Sequence, residues 1–166
     1  MPAAVNVRRA SRQDLEAIAE IVRKGSGGRA ASDPSALVER LLEWAYFVSA
    51  TSKVMGVVRW QAANFVACLK DLYVYPPVQR RRVGTPLLQR VEEEAKTLSC
   101  EVALLLTGRQ SSGRAIKFYR ELGYERARDE QLVGAWREVL DENKDDEEIV
   151  LLKRLRATRI MTPIQG

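Results

Sequence analysis

Three consecutive segments rich in β-branched and aromatic residues constrain the fold of this chain more than any other feature. They cover Tyr46 to Thr51, Val54 to Gln61 and Phe65 to Tyr75, with only short polar breaks between them. Segments of this length and composition are typical of strands, and such short breaks join neighbouring strands in antiparallel order. The pattern therefore predicts an antiparallel meander over residues 46–75.

Helical and extended patterns alternate on both sides of the meander. In several segments the apolar residues recur three, four and seven positions apart, as on the buried face of a helix. Helices are predicted after Ser11, from Pro34, from Pro86 with Thr85 as its N-cap, and across Ala115 to a stop at Gly123. Further strands are predicted at Val5 to Arg9, Val102 to Leu106 and Glu148 to Leu155.

The order of these elements predicts a mixed α+β sheet with helices on its faces. The chain has 166 residues, which is the length of one domain with a full core. We expect a single domain over residues 1–156 and a basic C-terminal tail over 157–166.

Composition excludes several kinds of chemistry. The chain contains no histidine, so Ser-His-Asp and Cys-His catalysis and histidine-ligated metals are excluded, and no metal site is predicted. Cys68 and Cys100 form no CxxC pair, and the N-terminus lacks the apolar core of a signal peptide. No apolar run approaches the length of a membrane span. We therefore expect a cytoplasmic protein with no membrane partner.

Charge is distributed unevenly along the chain. Residues 129–148 contain nine acidic and two basic residues, a local charge of −7, although the whole chain carries +5. A basic body suits a polyanion or a phosphorylated cofactor, whereas an acidic segment favours a cationic ligand. Taken alone, either pattern is also that of a solvated face.

One strand-to-helix connection carries the strongest functional pattern. It runs from Val74 to Leu88 and contains Arg80, Arg81 and Arg82 before Gly84. The first N–H groups of a helix lack intrahelical partners and attract phosphate, which arginine also binds. The connection thus predicts an anion site, with a solvated loop as the alternative.

Here the sequence resembles the GNAT superfamily of N-acetyltransferases. The positions that match the family's cofactor motif are Val74, Pro76, Gln79, Gly84, Leu87 and Leu88. A second match, from Ser112 through Phe118 and Tyr119 to Gly123, resembles the family's Asn-x-x-Ala-x-x-Phe-Tyr segment. Arg82 and Ser112 depart from the usual Gly and Asn. The resemblance covers about Val5 to Leu155 and implies a central, mostly antiparallel twisted sheet of about seven strands with about four flanking helices.

The resemblance implies transfer of the acetyl group of acetyl-CoA to a primary amine by direct attack. In this family the acid that protonates the leaving thiolate is commonly the residue at Tyr119, and a carboxylate near Asp71 often serves as the base. From the residues alone, a core residue is the preferred interpretation of Tyr119, whereas Asp71 could equally be a surface or paired residue beside Lys70. The implied cofactor-binding residues are Leu72, Tyr73, Val74, Gln79, Arg80, Arg81, Arg82, Val83, Gly84, Thr85, Ser112, Ala115 and Phe118.

Other functions remain open at this point. A non-catalytic module that binds acyl-CoA on the same fold is the main alternative. Nucleic-acid binding ranks last, because the basic body lacks an obvious base-stacking motif. The acidic stretch at 127–147 is hypothesised to lie beside the acceptor entrance and to favour a cationic amine. The acceptor and the oligomeric state, a homodimer included, stay open.

Overall fold

A seven-stranded sheet organises the protein. The computed structural model describes residues 5–26, 28, 34–75, 80–109 and 113–156. The strands are β1 (Asn6–Arg9), β2 (Ala45–Ala50), β3 (Val54–Ala63), β4 (Val66–Val74), β5 (Val102–Gly108), β6 (Glu125–Arg126) and β7 (Glu148–Arg154). They lie in the order β1-β2-β3-β4-β5-β7-β6, with β4 and β5 parallel and the pairs β1–β2, β2–β3, β5–β7 and β6–β7 antiparallel. The mixed, mostly antiparallel α+β fold is confirmed.

Five α-helices accompany the sheet within the described ranges. They are α1 (Leu15–Gly25), α2 (Pro34–Glu43), α3 (Arg80–Thr97), α4 (Gly113–Glu121) and α5 (Ala135–Asn143). The chain forms two compact units, one from residues 1–61 and 70–91 and one from 62–69 and 92–166. A single domain over 1–156 stays a prediction, and the tail at 157–166 lies outside the described residues.

The first unit contains the start of the meander and the helices α1 and α2. The apolar face of α1 is buried as its spacing predicts, with Ile18 and Val22 almost fully covered. In the β2–β3 pair, Phe47 lies opposite Val58 and both side chains are inaccessible. Gly56 on β3 has no side chain because a Cβ there would lie 2.5 Å from Cγ1 of Val83. This absence lets α3 lie directly against the strand.

Helix α3 begins six residues earlier than the sequence predicts. Thr85 is not its N-cap and Pro86 is not its first residue, because the helix starts at Arg80 and Pro86 lies inside it. Proline lacks the N–H that would bond to the carbonyl of Arg82, so it costs one hydrogen bond of the helix but does not end it. The amides that lack a partner within the helix are therefore those of its first turn, residues 80–83.

The second unit is built around β5, which is buried on both faces and paired on both sides. Beside it, three polar groups satisfy one another. Lys153 Nζ and the Tyr124 hydroxyl donate to the two carboxylate oxygens of Glu92 at 2.7 and 3.0 Å. Burial raises the pKa of Tyr124 well above its usual value, and the adjacent Glu92 carboxylate adds to this shift. The hydroxyl therefore remains a neutral donor.

Helix α5 was not predicted, and it lies in the acidic stretch between β6 and β7. Val139 and Leu140 are buried, and with Trp136 they have the spacing of a helix face. The many acidic residues around them obscured this short apolar pattern. Helix α5 is the fifth α-helix of the described ranges, whereas the resemblance implies about four.

The start of α1 is fixed by an ion pair to β1. The Arg8 guanidinium donates to both carboxylate oxygens of Asp14 at 2.7 and 2.9 Å, and the Ser11 amide donates at 2.7 Å. These bonds, that of Arg8 above all, lower the pKa of the buried Asp14 from 3.8 to about 2, against an opposing effect of burial. The folded state thus binds this proton more weakly than the unfolded chain.

Asp14→Asn is expected to lower the free energy of unfolding at pH 7 by about 1–2 kcal/mol, a figure reduced because Arg8 is partly exposed. The ionised carboxylate stabilises the fold fully above pH 3.8 and progressively less as the pH falls to about 2. The difference between wild type and variant should therefore shrink over that interval, as urea unfolding at several pH values would measure. The matched control is Glu16→Gln, an exposed carboxylate on α1. If the free energies of unfolding of wild type and Asp14→Asn differ by the same amount at pH 2 and pH 7, the ion pair is not the cause of the difference.

Candidate functional site

Asp71 occupies a strained position near the end of β4. Its φ is +54°, in the left-handed region that a non-glycine residue seldom adopts inside a strand. Such strained residues cluster at functional sites, and aspartate tolerates the conformation better than most residues. Its carboxylate Oδ2 accepts a hydrogen bond from Arg59 Nε at 2.6 Å. The side chains are only 16% and 12% exposed, so the pair is largely shielded from water.

Arg59 is held by more than this one carboxylate. Its guanidinium lies 4.4 Å from the centre of the Trp44 ring, in a cation–π contact. On β2, Tyr46 lies directly opposite Arg59 and is buried. Its hydroxyl is without a hydrogen-bond partner within the described part of the chain. Burial raises the pKa of Tyr46, and the positive charge of Arg59 opposes that shift.

Sequence reasoning missed Trp44, Tyr46 and Arg59. The available signal was an arginine inside an otherwise apolar strand segment, since a charge at a buried strand position requires a partner. Its partner is twelve residues away along the chain. Periodicity alone gives no information about which carboxylate that partner is.

The end of β4 is partly open to solvent, as a cofactor-binding edge requires. Leu72, Tyr73 and Val74 are all of intermediate burial. The ring of Tyr73 packs so closely on α1 that a Cβ on Gly25 would lie 2.6 Å from its Cδ1. The backbone oxygen of Tyr73 lies 3.5 Å from the Cβ position of Gly56, which Val83 of α3 also approaches. The structure thus brings the predicted residues Tyr73 and Val83 to the same point on β3.

The first turn of α3 has the properties of an anion site. This turn is formed by Arg80, Arg81, Arg82 and Val83, and it contains no acidic residue. Its N–H groups lack partners within the helix, and the positive end of the helix dipole lies there. Arg82 is exposed, whereas Val83 and Gly84 are buried and Thr85 is half-buried. The donors present therefore fit a pyrophosphate group. Gln79 lies outside the described residues, as do the side chains of Arg80 and Arg81.

The remaining predicted residues belong to the second unit. Ala115, Phe118 and Tyr119 are buried along α4, and the rings of Phe118 and Tyr119 lie 5.4 Å apart. The backbone oxygen of Tyr119 accepts from the Tyr124 amide at 3.0 Å, which fixes the end of the helix. Ser112 lies outside the described residues.

No cluster of three or more Cys, Asp or Glu side chains able to hold a metal ion occurs among the described residues. Across the same ranges, no helix is both long and apolar enough to cross a membrane.

Comparisons with known proteins agree with this architecture. The model of the acetyltransferase (GNAT) family matches residues 15–124. PaiA N-acetyltransferase from Thermoplasma acidophilum, solved with coenzyme A, is 16% identical with a TM-score of 0.71. The alignment covers 92% of this chain and 99% of the PaiA chain. Salmonella typhimurium yncA, solved with acetyl-CoA, is 20% identical with a TM-score of 0.67, covering 99% and 100%. The Escherichia coli ribosomal-protein-S18-alanine N-acetyltransferase is 16% identical with a TM-score of 0.71, covering 96% and 99%. No curated protein sequence matches the chain.

Removing either partner of the Arg59–Asp71 pair should destabilise the fold, because it leaves a shielded charge unpaired. We expect Arg59→Gln and Asp71→Asn each to lower the free energy of unfolding by about 2–4 kcal/mol. Asparagine is chosen because it also tolerates a left-handed conformation. The double variant should lose less than the sum, with a coupling energy of about 1–3 kcal/mol in urea unfolding.

The exposed Glu20–Lys24 pair is the matched control for this cycle. Its nitrogen–oxygen distance is 3.0 Å, but its side chains are 56% and 37% exposed. Its coupling energy should stay below about 0.5 kcal/mol. If the Arg59–Asp71 cycle gives no larger value, the pair does not hold β3 and β4 together.

Proposed function

Because the chain belongs to the acetyltransferase (GNAT) family, which uses acetyl-CoA as its acetyl donor, we propose that it acetylates a primary amine. The acceptor is an amine of a small molecule or of a protein, and it attacks the thioester directly. The observation that most supports this proposal is the β4–α3 connection. There a strained Asp71 precedes a partly open strand end, and a helix turn free of acidic residues follows.

In this proposal the β4 edge and the first turn of α3 hold the acetyl donor. The backbone of Leu72, Tyr73 and Val74 binds the pantetheine. Arg82 and the first-turn amides of residues 80–83 bind the pyrophosphate. Gln79, Val83, Gly84 and Thr85 complete that side of the site. Ser112, Ala115 and Phe118 are assigned to the cofactor from the second motif. Bound acetyl-CoA supplies an activated thioester carbonyl.

Asp71 is proposed as the base that takes a proton from the acceptor. An alkyl amine with a pKa near 10.4 is largely protonated at neutral pH, so its nitrogen must lose a proton before it attacks. The Arg59 bond fixes the Asp71 carboxylate in place through Oδ2. The other oxygen, Oδ1, is then available to accept the proton directly or through water.

Tyr119 is proposed as the acid. A tyrosine hydroxyl has an ordinary pKa of about 10 and a thiol one of about 8.5, so proton transfer from tyrosine to a thiolate is unfavourable. The transfer therefore requires a tyrosine hydroxyl held close to the sulfur. Tyr119 is 4% exposed, which keeps bulk water from competing for its proton.

The acidic stretch gives a proposed preference for the acceptor. Helix α5 exposes Glu138, Asp141 and Glu142 to solvent. An acidic surface attracts cationic ligands and raises their local concentration. We therefore extend the proposal to a cationic amine, which a charge-reversed α5 tested across an amine panel would check.

Tyr119→Phe should lower the rate of CoA release in the presence of an accepted amine by about a hundredfold, the usual contribution of a general acid. Stabilisation by acetyl-CoA in thermal unfolding should remain, because only the hydroxyl is removed. The control is Tyr124→Phe, whose hydroxyl donates to Glu92 and is expected to leave the rate unchanged. An unchanged rate in Tyr119→Phe excludes the acid role. Acetyl-CoA binding with no release for any amine favours a non-catalytic module.

A further inference from the structure

The second unit has a groove that the proposed acetyl transfer does not use. Its volume is about 480 Å³, within the usual range for small-molecule sites. It is lined by Gly123, the two residues of β6, the segment after them and the end of β7. Its basic members are Arg126, Arg128 and Arg154, and Glu125 is the only acidic residue lining it. The lining therefore carries a net charge of +2.

Two of these arginines lack a carboxylate partner within the described ranges. Arg126 and Arg154 form no ion pair with any described residue. Arg128 has only a loose contact with Glu130, at 3.6 Å between side chains that are 71% and 72% exposed. Guanidinium groups without carboxylate partners can donate to an anionic ligand. The groove thus has the donors of an anion site.

Arg154 is held in place although it is exposed. Its guanidinium lies 5.4 Å from the centre of the Trp136 ring on α5. Stacking of this kind restricts a long side chain, so less entropy is lost when it binds a ligand. Leu152, which also lines the groove, lies opposite Glu125 in the β6–β7 pair. The site therefore combines an arginine side chain of restricted motion with a backbone that is paired within the sheet.

The groove touches the second cofactor motif only at Gly123, and the motif's buried residues Ala115 and Phe118 do not line it. Arg154 pairs with Val102 at the start of β5, whereas Gly108 at the end of β5 pairs with Glu148. Helix α4, which carries Ala115 and Tyr119, follows the end of β5 in the chain. The groove accordingly lies at the end of the β5–β7 pair that is opposite to the segment leading into α4.

The surrounding charge limits the size of the ligand. The stretch 129–148 contributes Gln131 to the groove, carries a charge of −7 and includes the exposed acids of α5. A long polyanion that bound the arginines would also lie against these acids and be repelled. We infer that the groove binds a small phosphorylated ligand, through the guanidinium groups of Arg126 and Arg154. This inference does not depend on the proposed acetyl transfer.

Isothermal titration calorimetry with inorganic pyrophosphate tests the inference. Arg126→Gln/Arg154→Gln should weaken binding by at least about tenfold, because charge-assisted hydrogen bonds are lost. The control, Arg12→Gln/Arg23→Gln, removes two exposed arginines of the first unit and should leave affinity unchanged. Pyrophosphate bound at the first turn of α3 would persist in both variants, so only their difference measures the groove. Unchanged thermal unfolding would show that both variants fold.

A second titration with AMP identifies the source of the phosphate. Tighter binding of AMP than of pyrophosphate, lost in the groove variant, indicates a nucleotide, and the reverse order indicates a free phosphate. Equal affinities of the two double variants for both ligands would overturn the inference. So would the absence of any heat of binding to the wild type, or binding of a single-stranded oligonucleotide alone.

Discussion

The ion pair between Arg59 and Asp71 is the interaction on which the proposed site depends. A left-handed aspartate inside a strand costs free energy, and it persists only where its surroundings hold it. Here one short hydrogen bond joins it to β3, and Trp44 fixes the arginine on its other face. The pair thus places a carboxylate immediately before the open end of β4. Without it, neither the strained backbone nor the position of the proposed base has a physical reason.

The same principle recurs wherever the described part of the chain buries a carboxylate. Asp14 is held by Arg8 at the start of α1, and Glu92 is held by Lys153 and Tyr124 in the second unit. Each bond joins two different elements, so a charge that would be costly alone becomes a link between them. The arginines of the β6–β7 groove are different, because Arg126 and Arg154 have no such partner among the described residues. That difference is the reason for assigning them a ligand.

Local patterns predicted those parts of the fold that depend on local physics. The meander, the buried β5 and the apolar stripe of α4 follow from periodicity and burial, and the structure has them where the sequence predicts. The predicted start of α3 was wrong. Thr85 and Pro86 are residue types that favour the start of a helix, but the interior of this helix contains both. Helix α5 and the partner of Asp71 were missed for another reason. The contact between Arg59 and Asp71 joins residues that are distant along the chain, and the apolar residues of α5 are spaced among many acidic ones. A linear sequence pattern shows neither.

The most direct test of the account is thermal unfolding with and without saturating acetyl-CoA, with ATP as the control nucleotide. A ligand at about 100 times its dissociation constant stabilises the fold by about 2.7 kcal/mol, which raises Tm by several degrees. We expect this shift with acetyl-CoA and a much smaller one in Arg82→Glu, which places an acid in the first turn of α3. No shift in the wild-type protein would contradict the assignment of that turn to the cofactor.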